Sequence, residues 1–211
     1  MASKVRFLMC PPDQYDVDYV INPWMEGNIH RPSRDIASGQ WHALYDILRE
    51  SAEIECISPC PGLPDMVFTA NAGLAIGTKF VLSRFLHRER QGEEIHFKQW
   101  FSKRGFEVFE LPPDLPFEGA GDALLDRQGT CLWAGYGFRS ELDAHPLLAQ
   151  WLRLEVVSLR LIDPRFYHLD TCFCPLEGGF LLYYPGAFDA YSNRLIAERV
   201  PLHARVVASE T

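Results

Sequence analysis

Short apolar runs broken by glycine turns alternate along the chain with stretches of helical period. Val5-Arg6-Phe7-Leu8-Met9-Cys10 reads as a buried strand. Pro11-Pro12 ends it, because proline has no N–H to give a ladder. Residues 13–32 keep neither period and are rich in Asp, Asn, Tyr, Trp and Pro. A loop of that length is usually functional or disordered, and its aromatic content argues for order. Ser33 is placed to cap a helix reaching about Ser51, with Ile36, Trp41, Leu44, Tyr45 and Leu48 at near-helical spacing. Ile54-Glu55-Cys56-Ile57 then reads as a strand and Pro59-Cys60-Pro61-Gly62 as a breaker.

From there one pattern repeats. The first copy is strand 67–75, a turn at Gly77, strand 80–85, helix 93–103 closed by Gly105, and strand 106–111. The second is strand 123–126, Gly129, strand 131–135, helix 140–152 and strand 154–159. The third is strand 171–176, Gly178-Gly179, strand 180–184, a helix over about 188–200 and strand 204–208. Polar residues at the strand mouths fall at 71, 122 and 170, and the return strands start at 54, 106, 154 and 204. A period of about 50 residues with one supersecondary unit per repeat marks a ring or array. The unit is ββαβ, so the fold class is α/β with mixed pairing, and the stretch up to Ile57 is an irregular copy that precedes these three. An open ring would leave an edge unpaired, which predicts that the natural protein continues past Thr211.

The 211 residues, 47% apolar, suffice for a core. The net charge of -8 argues against nucleic acid or an anionic membrane as partner. No run has the length of a membrane span, and no signal peptide opens the chain, so the cytoplasm is the expected compartment. Its six cysteines should then be reduced thiols.

The candidate chemistry sits at the mouths. Phe117-Glu118-Gly119-Ala120-Gly121-Asp122 puts a carboxylate in a run of small residues just before an apolar run. Val67-Phe68-Thr69-Ala70-Asn71-Ala72-Gly73 and Phe166-Tyr167-His168-Leu169-Asp170-Thr171 occupy the same phase of the repeat. Convergence of the three would make a pocket suited to a guanidinium, which is planar, cationic and rich in donors. Glu118 and Asp170 offer carboxylates in fork geometry, and Asn71 an amide acceptor and donor. His168 can move protons near neutral pH, and an extended mouth would put it on one face with Asp170. Arg90 and Arg139 could hold a carboxylate at the far end, although Arg88–Glu94 on composition alone reads as a solvated charge cluster. His168, Cys172 and Cys174 form H-x3-C-x-C, whose spacing with Cys60 matches no zinc module. Buried thiols are the reading for these cysteines, with Cys172 activated by His168 as the alternative nucleophile.

The segments resemble the pentein superfamily of guanidine-modifying enzymes, which includes arginine deiminases, dimethylargininases and amidinotransferases. They resemble above all the arginine dihydrolase module that opens cyanobacterial-type proteins, often fused to an ornithine cyclodeaminase-like domain. They are Phe7–Pro12 with Asp16–Met25, Phe68–Gly73, Ser83–Arg90, Phe117–Asp122, Gly135–Ser140 and Tyr167–Thr171, and they span nearly the whole chain in that order. The resemblance implies a five-bladed propeller of ββαβ units, with residues 1–211 a single catalytic domain of about four blades and the fifth missing. It implies catalytic roles for Glu118 and His168, His168 being the general acid/base, and guanidinium binding by Asp170. Asn22, Arg90 and Arg139 would contact the amino-acid end of the substrate. Asn71, catalytic and substrate-binding, stands where deiminases carry Asp, which fits a second hydrolysis to ornithine. The nucleophilic cysteine of the family comes from the fifth unit, and no cysteine here follows Cys174. L-arginine is the implied substrate, with no metal and no cofactor. A fused cyclodeaminase-like domain and a homo-oligomer stay open. So do a deiminase, dimethylargininase or amidinotransferase on the same scaffold and a non-catalytic arginine- or ornithine-binding module.

Overall fold

The computed structural model describes residues 5–209. Strand β1 (Arg6–Met9) pairs in parallel with β2 (Glu53–Cys56), Arg6 opposite Glu53. Between them run the irregular loop and helix α1 (Arg34–Arg49), in whose first turn the Ile36 N–H donates to the Ser33 hydroxyl.

The repeat then appears as three small sheets, each with its middle strand antiparallel to the strand before it and parallel to the strand after it. Strands β3 (Gly73–Ile76) and β4 (Lys79–Leu82) form a hairpin, the chain passes through helices α2 (Arg88–Gln91) and α3 (Glu93–Lys103), and β5 (Glu107–Glu110) returns beside β4. Strands β6 (Ala123–Leu125) and β7 (Cys131–Tyr136), helix α4 (His145–Leu152) and β8 (Glu155–Arg160) repeat the arrangement. So do β9 (Phe173–Pro175), β10 (Leu181–Tyr183), α5 (Ala190–Arg199) and β11 (Arg205–Val207). The fold is therefore mixed α/β, as expected. Single bridges stitch consecutive units: Arg84 to Phe117, and Leu161 to Phe188.

Three expected boundaries shift, two of them for the same physical reason. The mouths are not extended. Thr69–Ala72, Gly119–Gly121 and Leu169–Thr171 are 3-10 turns, so the strands expected at 67 and 171 begin only at Gly73 and Phe173. The third helix starts at His145 and not at 140, because Ser140 spends its hydroxyl on Asp122 and Pro146 fits the first turn.

Apolar side chains pack in three clusters, each built from adjacent units. Phe80, Phe97 and Phe101 fill the first with Ile57 and Met66; Val81, Phe117, Leu132 and Leu148 the second; Leu159, Leu169, Phe173 and Ile196 the third. Helix α1 differs from α3, α4 and α5 in burying no residue, although its apolar positions keep helical spacing. Among the described residues no helix is long and apolar enough to cross a membrane. Phe97 has no exposed surface, so Phe97→Ala should cost about 3–5 kcal/mol in a urea unfolding series. Leu44→Ser, on the open face of α1, should cost less than about 0.5 kcal/mol.

Candidate active site

The three 3-10 turns lie edge to edge, and glycine makes that approach feasible. Gly119 has φ +63°, and a Cβ there would come within 2.6 Å of the backbone N of Gly73. A Cβ on Gly121 would come within 2.3 Å of Asn71 Nδ2. The close contact sets Asn71 and His168 side by side at the floor of a cavity of about 420 Å3 roofed by the 15–32 loop, with Glu118 buried behind His168.

Glu118 is fully buried. Its Oε2 lies 3.0 Å from Arg139 Nη1 and 3.3 Å from His168 Nε2, and its Oε1 accepts the Leu86 N–H at 3.3 Å. Burial works to raise its pKa, but His168, Arg139 and Arg90 outweigh it and hold the carboxyl below its ordinary value. Arg139 donates through Nη2 to the Ile21 carbonyl at 2.8 Å and lies over the Tyr167 ring.

Arg90 is buried, not solvated as its charged neighbours suggest. Its Nε and Nη2 form a two-pronged pair with Glu93 at 2.8 Å each, and Nη1 donates to Asn71 Oδ1 at 3.2 Å. The Phe85 ring covers its other face. Asn71 is thereby oriented: its Oδ1 is taken by Arg90, and its Nδ2 faces His168 Nε2 at 3.3 Å. Asn22 lines the cavity from the roof, with Oδ1 accepting the Trp24 and Met25 N–H groups. The roof is fastened at its far end by Trp24 Nε1, which donates to the Arg165 carbonyl at 2.9 Å.

Asp170 is not brought to this cavity. The Leu169–Thr171 turn is 3-10 and not extended, so Asp170 does not share a face with His168. It is exposed and lines a separate hollow with Cys172, Cys174 and Tyr184 on the other side of the 165–171 segment. Desolvation, with the Asp122 charge, pushes its carboxyl up to about 6 against the lowering pull of His168. The alternative nucleophile fails as well: Cys172 Sγ meets the backbone carbonyls of His168 and Leu169, and burial pushes its thiol up to about 12. His168, Cys172 and Cys174 do not gather as metal ligands; among the described residues the close donor group is Asp16, Asp18 and His30, at the surface.

Sequence reading missed Asp65. It is buried and lines the cavity, Tyr19 donates to its Oδ2 at 2.9 Å, and its Oδ1 has no hydrogen-bond partner. Burial raises its pKa against the lowering pull of Arg90. Its place in Leu63-Pro64-Asp65-Met66, within a residue of the Val67–Gly73 mouth, was the available signal.

No protein-family model matches the chain. It is 70% identical, over all its length, to the bifunctional arginine dihydrolase/ornithine cyclodeaminase AgrE of Nostoc sp., and spans 30% of that protein. It is 39% identical to the N(G),N(G)-dimethylarginine dimethylaminohydrolase of Mycobacterium tuberculosis, over 93% of this chain and 64% of that protein. The crystal structure of the N-terminal domain of ArgZ, an arginine dihydrolase bound to its substrate, superposes with a TM-score of 0.96 at 67% identity, covering 98% of this chain and 76% of that one. A dimethylarginine dimethylaminohydrolase at 18% identity still gives a TM-score of 0.80, which extends the shared fold. With that identity, that coverage and a pentein-like fold in common, the chain belongs to the family of the arginine dihydrolase N-terminal domains of ArgZ and AgrE.

Proposed function

We propose that the intact protein is an arginine dihydrolase that converts L-arginine and two waters into L-ornithine, two ammonia and carbon dioxide. The observation that carries this is a cavity walled by Asn71, Arg90, Arg139 and His168, with Glu118 buried behind Arg139 and His168 and an unpartnered carboxylate oxygen on Asp65, which also lines it. A guanidinium needs acceptors and an amino-acid head needs both charges met, and this cavity holds groups of both kinds. In this reading Glu118 and Asn71 receive the guanidinium, Arg90, Arg139 and Asn22 the carboxylate end, and Asp65 the ammonium. The nucleophile is a cysteine thiolate that attacks the guanidino carbon; His168 gives a proton to the departing ammonia and then takes one from the water that resolves the thiouronium. Asn71, an amide where a carboxylate would add charge, tolerates the neutral ureido product and lets a second round follow. ArgZ's N-terminal domain, with one asparagine changed to serine, has been solved covalently bound to a reaction intermediate, which supports a covalent route in that relative.

The architecture that goes with this reading is a propeller of five ββαβ units, with the last unit and its cysteine following Thr211. Two features support it. Among the described residues strand β1 has a parallel partner but lacks the antiparallel one that β4, β7 and β10 each have. Helix α1, beside it, has none of its residues buried.

Product analysis on the full-length protein decides the reaction: ornithine and ammonia are expected, and citrulline or a transferred amidino group as the end product would overturn it. Asn71→Asp should shift the product towards citrulline. Residues 1–211 alone should show no measurable turnover, and arginine hydrolysis by them that Cys172→Ser abolishes would refute the missing-nucleophile reading. Gly121→Ala, which pushes on Asn71, should lower full-length kcat/KM by about 100-fold with the fold intact by circular dichroism.

A further inference from the structure

His168 is held between two carboxylates. Glu118 Oε2 stands 3.3 Å from Nε2, and Asp122 Oδ2 stands 3.1 Å from Nδ1 on the opposite edge of the ring. Asp122 is 1% exposed and takes no part in lining the cavity. Its remaining contacts are with the scaffold: Ser140 Oγ donates to Oδ2 at 2.6 Å, the Leu169 N–H donates to Oδ1 at 3.1 Å, and its own carbonyl accepts the Gly135 N–H at 2.8 Å. A carboxylate held by several donors is fixed in place.

The cavity-side nitrogen meets opposed demands. Because Arg90 takes the Asn71 oxygen, the Asn71 amide presents a donor to Nε2, and a donor needs a bare lone pair there. Glu118, at the same nitrogen, needs an N–H. A ring that always carries its proton on Nδ1 meets each demand in turn: bare Nε2 against Asn71, protonated Nε2 against Glu118. Oδ2 of Asp122 lies off the axis of an Nδ1–H, so no aligned hydrogen bond forms there. Attraction between charges depends on distance and tolerates that angle.

We propose that Asp122 is a positioning residue that keeps Nδ1 of His168 protonated, so that Nε2 alone gains and loses the proton used in the cavity. In the acid step the Nε2–H bond breaks, its electron pair stays on the ring, and the proton goes to the departing amine. In the base step a water O–H bond breaks, its proton returns to Nε2, and the oxygen adds to the carbon. Nδ1–H is unchanged throughout. The use of the proton rests on the arginine dihydrolase reading; its placement does not.

The charged and titratable groups around His168 are Glu118, Asp122 and Asp170, with Arg139 and Arg90 beyond Glu118 and the Tyr167 ring alongside. Burial lowers the imidazole pKa, but Asp122 first and then Glu118 outweigh it and raise it from 6.5 to about 9. A folded pKa above the unfolded one stabilises the native state below about pH 6.5, and the contribution is lost as pH rises through about 9.

The test is a nitrogen-15 NMR titration of histidine-labelled residues 1–211, which needs no substrate and so stands apart from the outcome of the product analysis. His168 should remain an imidazolium at pH 7.5 and, on deprotonation, lose the Nε2 proton and keep Nδ1–H. Asp122→Asn, which keeps the shape and removes the charge, should lower the His168 pKa by about one unit or more and flatten the alkaline loss of stability. A neutral wild-type ring protonated on Nε2 would overturn the proposal, whether or not the variant folds. So would a folded Asp122→Asn protein with an unchanged His168 titration.

Discussion

A buried carboxylate without compensation is costly, and the centre of this molecule is arranged around neutralising Glu118. Its partners come from three places in the chain: the Leu86 N–H after β4, Arg139 after β7, and His168 before β9. Removing one partner of a buried ion pair typically costs about 3–5 kcal/mol, because the remaining charge is left in a poorly polarisable interior. The pairing therefore fixes how the units sit against one another. The same contacts set the protonation of the imidazole at the cavity floor.

The turns that carry these groups approach one another more closely than side chains would permit. Gly119 and Gly121 put backbone against backbone and backbone against amide. The single bridges from Arg84 to Phe117 and from Leu161 to Phe188 hold the same neighbours together further out. Core packing between units then determines the angle at which each mouth faces the cavity, since each apolar cluster draws on adjacent sheets.

The aromatic loop at 13–32 is ordered by what it covers. Arg139 reaches the Ile21 carbonyl, Tyr19 reaches Asp65, and Trp24 reaches the Arg165 carbonyl, so three polar tethers span the cavity mouth. His30, between Asp16 and Asp18, tightens the loop on its outer side. A roof held by side-chain tips and not by a sheet ladder is the kind of element that can release and readmit a ligand at modest cost.

The repeat was legible because secondary structure is periodic in sequence: the ββαβ units, the Ser33 cap and the glycine turns follow from spacing and local backbone preference. Glu118, His168 and Asn71 were legible too, because they recur at one phase of the repeat beside small residues. Tertiary structure decided the rest. Arg90 reads as a surface charge until Glu93, Asn71 and the Phe85 ring enclose it. Asp65, four residues before the Thr69–Ala72 turn, joins the cavity wall only in the folded chain, where Tyr19 meets it. Asp170 separates from His168 because the turn there is 3-10, a difference of a few backbone dihedrals that side-chain pattern does not encode. Burial and charge pairing are properties of assembled neighbours, and those neighbours are distant along the chain.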